Sequence, residues 1–152
     1  MSKIKKIIIS IAIPIGVGII GSLLGNAKQF QETVIQPDIT PPALVFPIVW
    51  TILYILMGIS SYLVFTSKSE YKKTALTIYG VQLFVNCIWN LFFFRLKFFL
   101  FSFILALILL CLSIIMILYF LRCNKVAGYI QIPYVFWLTF ASFLTFNVYL
   151  LN

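Results

Sequence analysis

The sequence predicts an all-α integral membrane protein, a five-transmembrane-helix bundle with a long first loop, and three observations predict it. Apolar residues make up 63% of the 152 residues and charged residues 9%, and the mean hydropathy is +1.13, values outside the range of soluble domains of this size. Five segments, 7–24, 43–65, 74–94, 98–121 and 126–151, contain no charge. At ~1.5 Å per helical residue each is long enough to cross about 30 Å of hydrocarbon. None alternates in blocks of about ten residues as a barrel strand does, and a helix satisfies its own backbone amides where lipid offers none a partner. One membrane domain over 1–152 is expected, with no soluble region of any size.

The first span, 7–24, follows a basic start at Lys3, Lys5 and Lys6. It resembles a signal peptide in that respect, yet it lacks a small-x-small cleavage site and carries Pro14 within its apolar stretch, so a retained helix is expected. Ala12, Gly16, Gly18, Gly21 and Gly25 suit close helix packing. The long connection, 26–42, holds two of the three acids, Glu32 and Asp38, and ends in a proline cluster. Pro37, Pro41 and Pro42 each fix φ and restrict the residue before them, which lowers the entropy of holding one shape. This predicts a stiff lid that launches the second helix at a set angle. The remaining connections, of about eight, three and four residues, make successive helices antiparallel neighbours.

The third span carries Gln82, Asn86 and Asn90 at a spacing of four, so the three amides share one helix face, with Trp89 beside them. The fifth aligns Tyr134, Trp137, Ala141 and Leu144 along one side, and Pro133 near its start predicts a kink. Polar groups inside a membrane point to function because lipid makes them costly. Amide stripes also simply bond neighbouring helices, at roughly 0.6–2 kcal/mol each, and both readings stay open for Gln82 and Asn90. Trp50 lies about eight residues into the second helix, too deep for an interfacial anchor.

Of the eleven Lys and Arg residues, eight fall on the amino-terminal side of a five-helix chain and three, Lys28, Arg95 and Lys97, on the other. The amino terminus is therefore expected in the cytoplasm and the carboxyl terminus outside, most simply in the cell membrane. On that reading the net charge of +8 reflects topology and contact with anionic headgroups rather than nucleic acid. The chain has no histidine, no acid within any span, and three scattered cysteines, Cys87, Cys111 and Cys123. Acid–base, nucleophilic and metal chemistry lack their parts, and no metal site is expected. A proton-coupled transporter would want an intramembrane acid or histidine relay.

Three motifs now carry a family resemblance. The run FQETVIQPDITPPALVFPIVWTILYILMG, through Pro37, Pro41, Pro42, Phe46, Val49, Trp50, Leu53, Tyr54, Met57 and Gly58, resembles the first loop and second helix of the TspO/MBR family, the tryptophan-rich sensory and translocator proteins, or peripheral-type benzodiazepine receptors. QLFVNCIWNLFFF is similar to the family's third-helix pattern through Gln82, Asn86, Trp89, Phe93 and Phe94, and PYVFWLTFASFLTFNVYLLN to its fifth. The chain departs at Gln36 for a lysine, Ile39 for an aromatic, Phe30 and Gln31 for a Trp-Tyr pair, and Thr145 for an asparagine. Its carboxyl end lacks the basic residue of the cholesterol motif.

The resemblance implies a homodimer of five-helix bundles in the lipid bilayer, each binding porphyrins such as protoporphyrin IX and haem, and synthetic isoquinoline or benzodiazepine ligands. It implies a role in tetrapyrrole transport, sensing or breakdown. No cofactor is required; porphyrin or haem is the ligand, and haem would find no histidine. Trp50 and Trp137 would stack on the guest, Asn86 would orient it, Ala141 would give clearance, and Phe46, Tyr54, Trp89 and Tyr134 would complete the site beneath the proline lid. No conventional catalytic residue is expected. Light-dependent porphyrin degradation through Trp50 or Trp137 is the first alternative, and the substitutions at Ile39, Phe30 and Gln31 weigh against it more than against binding. A structural subunit without a ligand is the second.

Overall fold

In the computed structural model, which describes residues 2–152, five helical spans form the bundle. They are α1 (Lys3–Leu24), α3 (Val45–Phe65), α4 (Lys72–Asn90) with a π-helical turn at Leu91–Arg95, α5 (Phe99–Cys123), and the pair α6 (Lys125–Tyr129) and α7 (Ile132–Leu151). A short helix, α2 (Ala27–Thr33), lies between α1 and α3. No strand occurs among the described residues.

The lid expected as a loop over 26–42 is corrected by α2. Asn26 caps this helix by accepting a hydrogen bond from the Gln29 amide at 3.2 Å. Phe30 then buries itself against Phe93 and Phe94, with ring centroids 4.8 and 5.1 Å away. Burial of that ring makes a seven-residue helix worthwhile that would be marginal alone. Only the stretch from Val34 to the start of α3 is extended and turn-like, with Thr40 N–H bonded to Pro37 O and Val45 N–H to Pro42 O.

The fifth span, expected as one kinked helix over 126–151, is two helices parted at Ile130 and Gln131. Pro133 sits in the first turn of α7, where its missing amide costs nothing, so the chain breaks ahead of the proline rather than bending at it. The third span, expected over 74–94, ends in the π turn, with Leu96 N–H bonded to Leu91 O at 2.9 Å. Lys97 then adopts a φ of 58°, a left-handed conformation uncommon for a side-chain-bearing residue. Its Nζ donates to Thr33 Oγ1 at 2.7 Å, tying α5's approach to α2.

α1 buries little of itself, only Pro14 and Gly21, and docks through backbone proximity. A methyl group on Gly58 of α3 would lie 2.5 Å from Ile11 Cα, and one on Gly18 would collide with the Tyr54 ring. Packing of this kind holds membrane helices together where the surroundings are as apolar as the side chains. Arg95 closes α1's carboxyl end by donating to Leu24 O at 2.6 Å and Leu23 O at 3.2 Å. The core proper is a column of Met57, Val64, Met116, Phe120 and Tyr134, with a second cluster of Phe30, Trp89, Phe93, Leu105, Ala106 and Val148 under α2.

Candidate functional site

Between α1, α3, the end of α4 and α7 lies a cavity of about 560 Å³, roofed by α2 and the segment that follows it. Its volume is within the ~300–1,000 Å³ of small-molecule sites. Phe46, Trp50 and Tyr54 come from α3, Trp89, Asn90, Phe93 and Phe94 from α4 and its π turn, and Trp137, Ala141 and Thr145 from α7. No charged side chain lines it among the described residues, and Gln31, Gln36 and Thr40 give the roof its polarity.

Helical spacing builds the aromatic wall. Trp50 and Tyr54, one turn apart on α3, stack at 5.5 Å with 28° between planes. Trp137 meets Trp50 edge-on at 6.4 Å and 88°, and Phe46 at 5.8 Å and 68°. Two indoles at right angles thus present a face and an edge to the same space. Trp89 stacks on Phe93 at 4.7 Å, and its indole N–H donates to Ser102 O at 3.1 Å, which fixes this ring as part of the α4–α5 junction. Ala141 lines the cavity one turn beyond Trp137.

Asn86 and Tyr134, the other two residues singled out as ligand contacts, do not line the cavity; both are buried behind the wall. Tyr54 Oη donates to Asn86 Oδ1 at 3.2 Å, Asn86 Nδ2 donates to Tyr134 Oη at 3.0 Å, and Tyr134 Oη donates to Gln82 Oε1 at 2.7 Å. The stripe of amides on α4 is therefore divided. Gln82 and Asn86 tie α3, α4 and α7 together, while Asn90 reaches the cavity and donates back to Asn86 O at 3.1 Å. Spacing puts three amides on one face but does not say which level of that face is filled by tyrosines.

The lid prolines stand away from the cavity surface, and two of their neighbours, Gln36 just before Pro37 and Thr40 just before Pro41, line it instead. The segment is fastened from an unexpected quarter. Asn152 Oδ1 accepts from the Ile35 amide at 3.1 Å, and its Nδ2 donates to Ile35 O at 2.8 Å. An amide side chain that mimics a strand partner across 117 residues leaves no local signal in sequence. Sequence reasoning also missed Gly18, Gly25, Phe94 and Val148 as lining residues. The glycine stripe of α1 was a signal that could have found the first two.

The TspO/MBR family profile matches residues 10–151. The tryptophan-rich protein TspO of Chlorobaculum tepidum is 31% identical over 97% of this chain and 99% of its own length. That of Archaeoglobus fulgidus is 32% identical over 99% of each. The protein CrtK of Rhodobacter capsulatus is 36% identical over 81% of this chain and 78% of its own.

Proposed function

The chain belongs to the TspO/MBR family, and on that premise we propose that it is a membrane-embedded binding protein for porphyrins, such as protoporphyrin IX and haem, and similar flat apolar ligands. The observation that carries this reading is the pair of perpendicular indoles, Trp50 and Trp137, bordering one uncharged cavity. A planar guest gains stacking area from one ring and an edge contact from the other. Haem would be held by these surfaces and not by an axial histidine, since the chain has none. The charge asymmetry supports a cell-membrane location with the amino terminus in the cytoplasm, and the family supports a homodimer. A role in tetrapyrrole transport or sensing would follow from the binding.

Titration of the purified protein with protoporphyrin IX, read by tryptophan quenching, tests the proposal. Saturation near one ligand per chain is expected, with Trp50→Phe and Trp137→Phe each weakening affinity by about tenfold, the value of one lost indole contact at ~1.5 kcal/mol. Non-saturable quenching would favour a structural subunit instead.

One observation favours light-dependent porphyrin breakdown as a second reading. Trp50 touches Tyr54, Tyr134 and Trp137, with centroids 5.5, 6.2 and 6.4 Å away, so oxidisable rings cluster against the cavity. Loss of porphyrin absorbance on illumination, abolished in the Trp→Phe proteins, tests it.

A further inference from the structure

The four helical boundaries around the cavity are not closed in the same way. α1 meets α3 through glycine-permitted backbone contact at Gly58 and Gly18. α1 is joined to the π turn by the two Arg95 hydrogen bonds, and α4 to α7 by Asn86, Tyr134 and Gln82. The roof is pinned by Asn152 at Ile35 and by Lys97 at Thr33. Between α3 and α7 no hydrogen bond passes directly among the described residues. That seam is shut by apolar packing, chiefly ring contacts of Phe46 and Trp50 against Trp137, and of Trp50 against Tyr134.

On the outer side of the same seam runs a groove walled by α3, including Ile52 and Leu56, and by α7, including Phe136 and Phe140; every wall residue is apolar. Ile52 is 52% exposed and Phe136 73% exposed, so the groove faces the lipid of a spanning bundle. Trp137 is the residue common to the groove and the cavity. One indole is therefore the partition between hydrocarbon and binding site. Its Nε1 is buried with no hydrogen-bond partner in the protein, so turning the ring aside breaks no polar contact.

We propose that the α3–α7 seam is a lipid-side port through which a flat apolar guest passes between the bilayer and the cavity, with the Trp137 indole as its gate. The proposal rests on the binding reading above. A guest dissolved in hydrocarbon meets only apolar wall along this path, whereas the roof offers it glutamines and fastened backbone. Among the described residues two of these boundaries lack a direct hydrogen bond, α1–α3 and α3–α7; the first is interlocked by close backbone approach at Gly58, so the second opens with least loss.

The test uses the full chain in phosphatidylcholine nanodiscs, loaded from donor vesicles carrying protoporphyrin IX and followed by porphyrin absorbance. Ile52→Trp and Phe136→Trp fill the groove from the lipid side without touching the cavity lining. Both should slow association and dissociation alike, by about tenfold, because an obstructed path raises the barrier equally in the two directions and leaves Kd unchanged. Phe84→Trp, on the exposed face of α4 and lining neither the groove nor the cavity, should alter neither rate. Wild-type rates in both groove variants, with saturable binding intact, would overturn the port and send the guest beneath the roof. A change in Kd as large as the change in rate would also overturn it, by making the groove part of the site. Absence of saturable binding in the unsubstituted protein would overturn the binding reading and the port with it.

Discussion

Replacing Asn86 by leucine removes the central member of the buried network while nearly conserving side-chain shape. Two hydrogen bonds disappear, the one accepted from Tyr54 Oη at 3.2 Å and the one donated to Tyr134 Oη at 3.0 Å. Interhelical hydrogen bonds in membranes average ~0.6 kcal/mol each, so their loss accounts for about 1.2 kcal/mol. The buried Tyr54 hydroxyl is also left without an acceptor, which adds about 1 kcal/mol. Tyr134 keeps its bond to Gln82 and adds little. The expected cost is thus about 2 kcal/mol, half of it in one orphaned hydroxyl. Equilibrium unfolding in mixed micelles with rising detergent denaturant measures it. Tyr54→Phe placed on Asn86→Leu should restore about 1 kcal/mol, whereas alone it costs at least the ~0.6 kcal/mol of its lost hydrogen bond, giving a coupling of about 1.6 kcal/mol in the double-mutant cycle. A cost below about 0.5 kcal/mol, or strictly additive single changes, would refute the network as a joint between α3, α4 and α7.

Other consequences follow from the close contacts and ties. Gly58→Ala should destabilise the bundle by about 2 kcal/mol, because the new methyl meets Ile11 backbone that cannot yield, while Gly16→Ala and Gly80→Ala, with open space around them, should be neutral or slightly stabilising in the same unfolding assay. Asn152→Ala should release the segment around Ile35, seen as faster proteolysis between α2 and α3, with about 1 kcal/mol lost from the local closing equilibrium. Arg95→Gln should loosen the α1 terminus and speed amide exchange at the carboxyl end of that helix, since Leu23 O and Leu24 O lose a charged donor.

The fold was legible in the sequence to the extent that lipid dictates it. Uncharged stretches of span length admit few structures other than helices, and five of them appear where the hydropathy places them. The aromatic wall was legible for a related reason: Trp50 with Tyr54, and Trp137 with Ala141, recur at helical spacing and so share a face. Breaks inside spans were harder to see. The parting of α6 from α7 and the π turn at Leu91–Arg95 interrupt stretches whose composition is uniformly apolar, and hydropathy is blind to backbone geometry.

What the amino-acid sequence determined by itself is local: which segments are helical, which face of each carries rings or amides, and where φ is restrained by proline. Tertiary packing alone decided the rest. It put Asn86 behind the wall and Asn90 in it, because two tyrosines from different helices occupy the space between α3, α4 and α7. It turned half of the expected loop into a helix by giving Phe30 a cluster to join. It also fastened that connection with Asn152, through hydrogen bonds between residues so far apart along the chain that no periodicity relates them.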